Sequence, residues 1–176
     1  GVYRGERLVV DWRLMTDQRR TGDEYGILLQ NLFAGSGLSC KDINGVIMSC
    51  VVPPMLSMML ELCRRYFNAE PVCIGPHMDM GIKICYENPQ EVGADRIVNA
   101  VAAYEKYKRS IIVIDFGTAT TFDYIAEKGE YIGGAIAPGI VISSEALFQR
   151  ASKLPRVDFA IPQTAVAQST VQSMQS

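Results

Sequence analysis

Histidine is almost absent from this sequence, since His77 is the only one among 176 residues. A single histidine excludes metal sites that are built from several imidazoles. The five cysteines are odd in number and form no Cys-x-x-Cys pair, which argues against a disulfide framework or a structural zinc site. A reducing cytoplasm is therefore the expected setting.

Long apolar runs and blocks of positive charge are missing as well. The apolar stretch at residues 46–62 is interrupted by Pro53 and Pro54, so we expect no membrane partner. The formal net charge is −2 and no block of Lys and Arg stands out, so we expect no nucleic-acid partner. A Gly-x-x-x-x-Gly-Lys-Ser/Thr sequence is also missing, which argues against a P-loop.

The pattern of apolar residues predicts an α/β chain. Apolar residues recur at intervals of three and four in the predicted helices, and they alternate or run together in the predicted strands. The predicted helices cover residues 23–33 (capped by Thr21), 53–67, 93–107 and 141–150, with a helix start at 170–176. The predicted strands cover residues 1–3, 7–13, 45–50, 71–74, 82–86, 111–114 and 131–134. The strand at 111–114 consists of β-branched residues, and we expect it to be buried on both faces.

The order of these elements suggests two related halves. Residues 111–150 run as strand, turn, strand, hairpin, strand and helix. Residues 1–33 follow the same order if one further strand precedes Gly1. We therefore expect an N-terminal half at 1–96 without its first strand and an incomplete C-terminal half at 97–176. Two such halves would place two phosphate-binding turns across one cleft.

The strand at 111–114 leads into Asp115 and a turn that contains Gly117, Thr118 and Thr121. A carboxylate can hold a cation, and the amides and hydroxyls of such a turn can hold phosphate oxygens. The same residues also suit a simple hairpin in which Asp115 caps the turn and the threonines reflect β-propensity. These residues alone leave both interpretations open.

A second group of chemically capable residues is Gly93-Ala94-Asp95-Arg96, at the start of a predicted helix. A helix N-terminus favours anions, Arg96 can hold a carboxylate or phosphate, and Asp95 can accept a proton from a substrate hydroxyl. The alternative is a first-turn Asp95 that complements the helix dipole, with Arg96 in a surface ion pair. Without further context that alternative is favoured.

Taken together and in order, these motifs resemble those of the type III pantothenate kinases. The matching stretches are Tyr-Glu-Asn-Pro at 86–89, Glu-Val-Gly-Ala-Asp-Arg-Ile-Val-Asn-Ala at 91–100, Asp-Phe-Gly-Thr-Ala-Thr-Thr at 115–121, Gly-Gly at 133–134, Pro-Gly at 138–139, Ala-Ser-Lys-Leu-Pro at 151–155, and Thr170 with Met-Gln-Ser at 174–176. Each motif alone is weak, but the ordered set is specific.

The resemblance implies two ribonuclease-H-like halves, as in acetate kinase, sugar kinases and actin. It implies a homodimer that phosphorylates pantothenate with ATP, Mg²⁺ and a monovalent cation (K⁺ or NH₄⁺), in the first step of coenzyme A biosynthesis. The residue roles that it implies are Asp95 as general base, Gly93, Ala94 and Arg96 holding the substrate with it, Tyr86 and Thr170 lining the pantothenate site, Thr118 contacting ATP, and Asp115 binding the monovalent cation.

The sequence also departs from the family pattern. Family members begin with a strand that ends in Asp-x-Gly-Asn-Thr and continue beyond Met-Gln-Ser, so we expect this chain to be truncated at both ends. Ala167 stands in a segment that usually carries a glycine. The alternatives to a pantothenate kinase are a non-catalytic regulator of the same fold and a kinase for another small hydroxy acid.

Overall fold

The computed structural model describes residues 1–75 and 77–176. The chain divides into two compact units: the first contains Gly1–Met78 and Gln90–Val98, and the second contains Asp79–Pro89 and Asn99–Ser176. The predicted boundary between residues 96 and 97 falls within the helix Ala94–Tyr107, which contributes to both units. The proposed relation between two sequence halves stays a prediction.

The first unit opens with a hairpin, as predicted. β1 (Val2–Arg4) pairs antiparallel with β2 (Arg7–Val10) across a turn in which Gly5 has a φ of +60°. That positive φ suits glycine, which lacks a Cβ. The second strand was predicted to reach residue 13 but ends at Val10. Helix α1 (Gly22–Gly35) follows the hairpin.

A parallel strand pair completes the first unit. β3 (Ile47–Met48) pairs in parallel with β4 (Val72–Cys73), and α2 (Pro53–Leu62) lies between them in the sequence. The predicted helix at 53–67 is α-helical only to Leu62, and a wider π-helical turn, Cys63–Phe67, completes it. Asn68 then adopts a φ of +52°, a left-handed conformation that commonly ends helices.

The core of the first unit packs α1 against α2. Its buried cluster consists of Tyr25, Met55, Leu62 and Cys63. Met55 and Leu62 lie seven residues apart on α2, which places them on one face of the helix, and both are buried. Burial raises the pKa of the Cys63 thiol, which keeps this side chain neutral at physiological pH.

The second unit is built on a four-stranded sheet with the order β5-β8-β7-β6. Only the β5–β8 pair is parallel, and the other two pairs are antiparallel. The strands are β5 (Lys83–Ile84), β6 (Ile111–Phe116), β7 (Ala119–Ile125) and β8 (Glu130–Pro138). The helices that follow α2 are α3 (Ala94–Tyr107), α4 (Ile140–Arg150) and α5 (Thr170–Gln175).

The prediction that residues 111–114 are buried on both faces is wrong. β6 is an edge strand whose residues alternate between half-buried and exposed. Ile112 is 64% exposed and Ile114 is 49% exposed. A run of β-branched residues reflects strand propensity as much as burial, and the sequence does not separate these two causes.

β7 and β8 approach each other closely where two glycines follow each other. A Cβ on Gly134 would overlap the carbonyl oxygen of Phe122 on the facing strand. Gly133 has a φ of +142°, and the strand register shifts beside it, between Tyr124 and Ile125. A bulge of this kind bends a strand and redirects its side chains.

Within the two described ranges, no helix has the length and apolar content needed to cross a bilayer.

α1 begins with a reciprocal capping box. The Thr21 hydroxyl accepts a hydrogen bond from the Glu24 amide at 3.3 Å, and the Glu24 carboxylate accepts one from the Thr21 amide at 2.7 Å. The predicted cap at Thr21 is confirmed. The hydrogen bond from the Thr21 amide, assisted by the Thr21 hydroxyl, holds the pKa of Glu24 below its usual 4.5.

We expect Glu24→Gln to lower the urea midpoint of unfolding at pH 7. Because folding lowers the pKa of Glu24, its stabilisation is fully present above the usual pKa of 4.5 and is lost as the pH falls through the folded-state pKa. The two midpoints should therefore converge in acid. Urea titrations followed by circular dichroism check this, with Glu61→Gln on exposed α2 surface as control. A midpoint difference that is independent of pH would contradict the prediction.

We expect Gly134→Ala to destabilise the second unit by about 1–3 kcal/mol, because its methyl group must displace backbone of the facing strand. Gly35→Ala is the matched control, since a Cβ on Gly35 meets nothing within 4 Å. Thermal unfolding of both variants measures the effect. Equal midpoints for the two variants would show that the β7–β8 pair tolerates a side chain at this position.

Candidate active site

The first turn of α3 contains an exposed carboxylate between two buried residues. Ala94 and Arg96 are each 7% exposed, whereas Asp95 between them is exposed. A surface ion pair for Arg96 is therefore excluded, because its side chain is buried. In the first unit, the first turn of α3 thus combines a fixed guanidinium with an accessible carboxylate.

The Asp95 carboxylate is oriented by the backbone around it. Its Oδ1 accepts a hydrogen bond from the Arg96 amide at 2.8 Å. A Cβ on the preceding Gly93 would lie 2.5 Å from that same oxygen, so a side chain there would displace the carboxylate. The positive end of the helix dipole also favours a negative charge at this point. Gly93 is therefore needed for the observed position of Asp95.

In the second unit, Asp115 lies at the end of β6 and is tied to α3. Its Oδ2 accepts a hydrogen bond from Nδ2 of Asn99 at 2.8 Å. β6 and β7 form an antiparallel hairpin that turns at Gly117 and Thr118. The hairpin interpretation is thus confirmed for the backbone, while the Asp115 carboxylate bonds to a helix.

Thr118 lies in this turn, directly beside the start of α4. The amide of Gly139, the N-cap of α4, donates a hydrogen bond to the Thr118 carbonyl at 3.0 Å. A Cβ on Gly139 would overlap the carbonyl oxygens of Thr118 and Gly117. Gly139 therefore brings the exposed Thr118 next to a helix N-terminus, whose free amides suit phosphate oxygens.

Tyr86 packs beside the β8 bulge in the second unit. Its ring centroid lies 6.3 Å from that of Tyr131, with an interplanar angle of 52°. A Cβ on Gly133 would be 3.4 Å from the Tyr86 ring, an ordinary van der Waals distance, so the ring packs directly against this part of β8. Tyr86 is half-buried, and part of its surface remains accessible.

Thr170 is exposed at the first residue of α5, also in the second unit. The end of this helix is fixed by Gln175, whose side chain donates to the Asp158 carbonyl at 2.7 Å, and by Ser176, whose hydroxyl bonds to the Thr164 carbonyl at 3.3 Å. Thr170 thus belongs to a segment with its own local contacts.

The described part of the chain contains no group of three or more His, Cys, Asp or Glu side chains that could hold a metal ion. Asp115 instead offers one half-buried carboxylate, whose Oδ2 is bonded to Asn99. Hard oxygen donors with a single negative charge fit a weakly charged cation such as K⁺, which is commonly held by neutral oxygens.

Sequence reasoning missed three residues that shape these sites. Asn99 was quoted only as part of a motif, although it lies one helical turn after Asp95 and bonds to Asp115. Asp123 and Tyr131 were given no role, yet both are fully buried and hydrogen-bonded to each other at 2.7 Å. The available signal was a carboxylate at an inward position of a strand.

Two sequence comparisons with known proteins match the whole chain. The family model described as type III pantothenate kinase matches residues 1–176. Type III pantothenate kinases from Syntrophus aciditrophicus and Geobacter sulfurreducens are each 60% identical over 176 residues, which is 100% of this chain and 69% of each relative.

A solved structure from Campylobacter jejuni, described as a Baf family transcriptional activator, aligns with a TM-score of 0.50. The alignment covers 76% of this chain and 57% of that chain at 18% identity, so it shows a shared fold alone. The family match and the identity to the two bacterial relatives show more than a shared fold. They show that this chain belongs to the type III pantothenate kinase family.

Proposed function

We propose that this chain phosphorylates pantothenate with ATP to form 4'-phosphopantothenate, the first step of coenzyme A biosynthesis, with Asp95 as the general base. Membership of a pantothenate kinase family supports the reaction. The observation that carries the residue assignment is an exposed Asp95 carboxylate, held in one orientation at the N-terminus of α3.

Asp95 has the geometry that a general base needs. The Arg96 amide occupies Oδ1, which leaves Oδ2 to take the proton from the attacking hydroxyl of pantothenate. As the proton moves to Asp95, the hydroxyl oxygen bonds to the γ-phosphorus and ADP leaves. Proton removal by a positioned carboxylate is the role that a catalytic aspartate has in other phosphoryl transfers.

Five further residues are assigned to substrate binding. We assign Gly93, Ala94 and Arg96 to substrate binding because they adjoin Asp95 in the chain at the start of α3. Arg96 is 7% exposed, so only a small part of its side chain is accessible to a carboxylate or phosphate. Tyr86 offers a partly exposed ring, and Thr170 offers an exposed hydroxyl. We assign both to the pantothenate site.

The β6–β7 turn is the proposed ATP contact. Thr118 lies next to the N-terminus of α4, which supports binding of phosphate oxygens by amides and a hydroxyl. Mg²⁺ would accompany the nucleotide and neutralise phosphate charge. Asp115 would hold K⁺ or NH₄⁺, supported by its single half-buried carboxylate and by Asn99, which fixes its orientation.

We also propose that the protein consists of duplicated ribonuclease-H-like halves, forms a homodimer and is cytoplasmic. The mixed α/β architecture is consistent with the first, and the five free cysteines are consistent with the last. A non-catalytic regulator or a kinase for another hydroxy acid has less support, because Asp95, Arg96 and Asp115 are all present.

We expect Asp95→Asn to lower kcat at least ~100-fold with little change in the unfolding midpoint, because the base is lost while the exposed site keeps its shape. A coupled ADP-release assay with pantothenate, ATP, Mg²⁺ and K⁺, run on the complete gene product, measures this. The control is Glu105→Gln, an exposed acidic residue of the same helix that pairs with Lys108 at 2.6 Å. An active Asp95→Asn enzyme would limit Asp95 to complementing the helix dipole. ATP binding without turnover in the wild type would favour a regulator.

We expect Asp115→Ala to abolish the stimulation of turnover by K⁺, because the cation loses its charged ligand. Initial rates measured over a KCl series at constant ionic strength test this. Glu127→Ala, an exposed residue of the second unit, serves as control. If the variant keeps the K⁺ response of the wild type, the cation binds elsewhere.

A further inference from the structure

The most deeply buried charged side chain of the second unit has no part in the proposed chemistry. Asp123, on β7, is 0% exposed. Its Oδ1 accepts a hydrogen bond from the Tyr131 hydroxyl at 2.7 Å, and its Oδ2 accepts one from the Thr121 hydroxyl at 3.2 Å. A buried carboxylate is costly unless it is well hydrogen-bonded, so a hydrophobic residue would be the simpler choice for stability alone.

One hydrogen-bond partner of Asp123, Tyr131, contacts the proposed pantothenate residue Tyr86. The Tyr131 ring packs against the Tyr86 ring at a centroid distance of 6.3 Å. The Tyr131 carbonyl also accepts a hydrogen bond from the Cys85 amide at 2.8 Å, directly before Tyr86. Tyr131 therefore contacts the Tyr86 segment through its backbone and through its ring, and Asp123 fixes the far end of that ring.

The other hydrogen-bond partner of Asp123, Thr121, is the strand neighbour of the proposed cation residue Asp115. Thr121 is directly opposite Asp115 in the β6–β7 ladder. Opposite residues of an antiparallel pair project from the same face, with Cβ atoms roughly 4.5–5.5 Å apart. The hydrogen bond to Asp123 selects one rotamer of Thr121 and so determines which of its atoms faces the Asp115 side.

We infer that Asp123 is a positioning residue that orients both parts of the second unit's site, Tyr86 through Tyr131 and the surroundings of Asp115 through Thr121. The inference rests on the proposed function, since it assigns Tyr86 to pantothenate and Asp115 to a monovalent cation. Charge-assisted hydrogen bonds are short and directional, which suits a single carboxylate that holds two side chains. Small displacements of such groups reduce turnover strongly.

A merely structural carboxylate would stabilise the β7–β8 pair and nothing else. The two roles differ in which kinetic constants respond. Loss of the Tyr131 hydroxyl should affect pantothenate, loss of the Thr121 hydroxyl should affect the cation, and loss of the Asp123 charge should affect both. A structural role would lower the unfolding midpoint in every variant and leave the kinetic constants of the folded protein unchanged.

The test measures steady-state kinetics of the complete gene product in four variants. Tyr131→Phe should raise the KM for pantothenate about 10-fold, which corresponds in free energy to one hydrogen bond to a charged group. The K⁺ concentration for half-maximal rate should not change in this variant. Thr121→Val should raise that K⁺ concentration several-fold without changing the KM for pantothenate. Asp123→Asn should raise both. Ile125→Val, at a fully buried position of the same strand, is the control and should change only the thermal midpoint.

A double variant separates positioning from direct contact. If Thr121 acts through Asp123, then Thr121→Val in the Asp123→Asn background should add less than it does in the wild type. Full additivity of the two substitutions would show that Thr121 does not act through Asp123. If Asp123→Asn does not fold, Tyr131→Phe and Thr121→Val still decide the inference, because each removes only a hydroxyl that Asp123 binds.

The outcomes distinguish the inference from the function on which it rests. An active wild type with unchanged KM and K⁺ response in all variants would overturn the inference and leave the kinase intact. A wild type without pantothenate-dependent ADP release would overturn the proposed function, and the inference with it. The expected split between Tyr131→Phe and Thr121→Val supports both.

Discussion

The antiparallel ladder between β7 and β8 is the constraint on which the second unit depends. It joins the hairpin of β6 and β7 to β5, because β8 pairs with both β7 and β5. The ladder can form only because Gly134 has no side chain where the strand meets the Phe122 carbonyl. Beside it, Gly133 has a φ of +142°, and the Tyr86 ring lies next to this glycine. The glycine pair of the sheet thus lies beside a proposed substrate contact.

The inner face of this sheet carries polar side chains beside apolar ones such as Ile125. Asp115, Thr121 and Asp123 all project from the face that β6 and β7 turn inward, and β8 adds the Tyr131 hydroxyl. Each carboxylate receives a hydrogen bond from a neighbouring side chain, which offsets its desolvation. The opposite face of β6 carries apolar side chains such as Ile112 and Phe116 in exposed positions. The polar side chains of this sheet thus lie on its inward face, while exposed apolar side chains lie on the other.

The first unit contributes chemistry in a different way. Its core is an ordinary packing of α1 on α2, and its proposed catalytic group is a single carboxylate at the start of α3. Gly93 leaves space for that carboxylate, and the Arg96 amide orients it. Arg96, the next residue in the chain, is buried, so this turn is not a fully solvated helix end. Backbone geometry and the helix dipole therefore act together on Asp95.

The sequence by itself determined the local elements and the chemistry-bearing motifs. The cap at Thr21, the β1–β2 hairpin, the helix that begins near Gly93 and the turn after Asp115 all follow from short-range rules of capping, periodicity and turn chemistry. The ordered motifs also pointed to the family that the comparisons confirm. Only the tertiary structure decided that one face of β6 is exposed, that Arg96 is buried, that Asn99 bonds to Asp115, and that Asp123 on β7 bonds to Tyr131 on β8. The reason is that burial and hydrogen-bond partners depend on which elements pack together, whereas propensity acts only between neighbours along the chain.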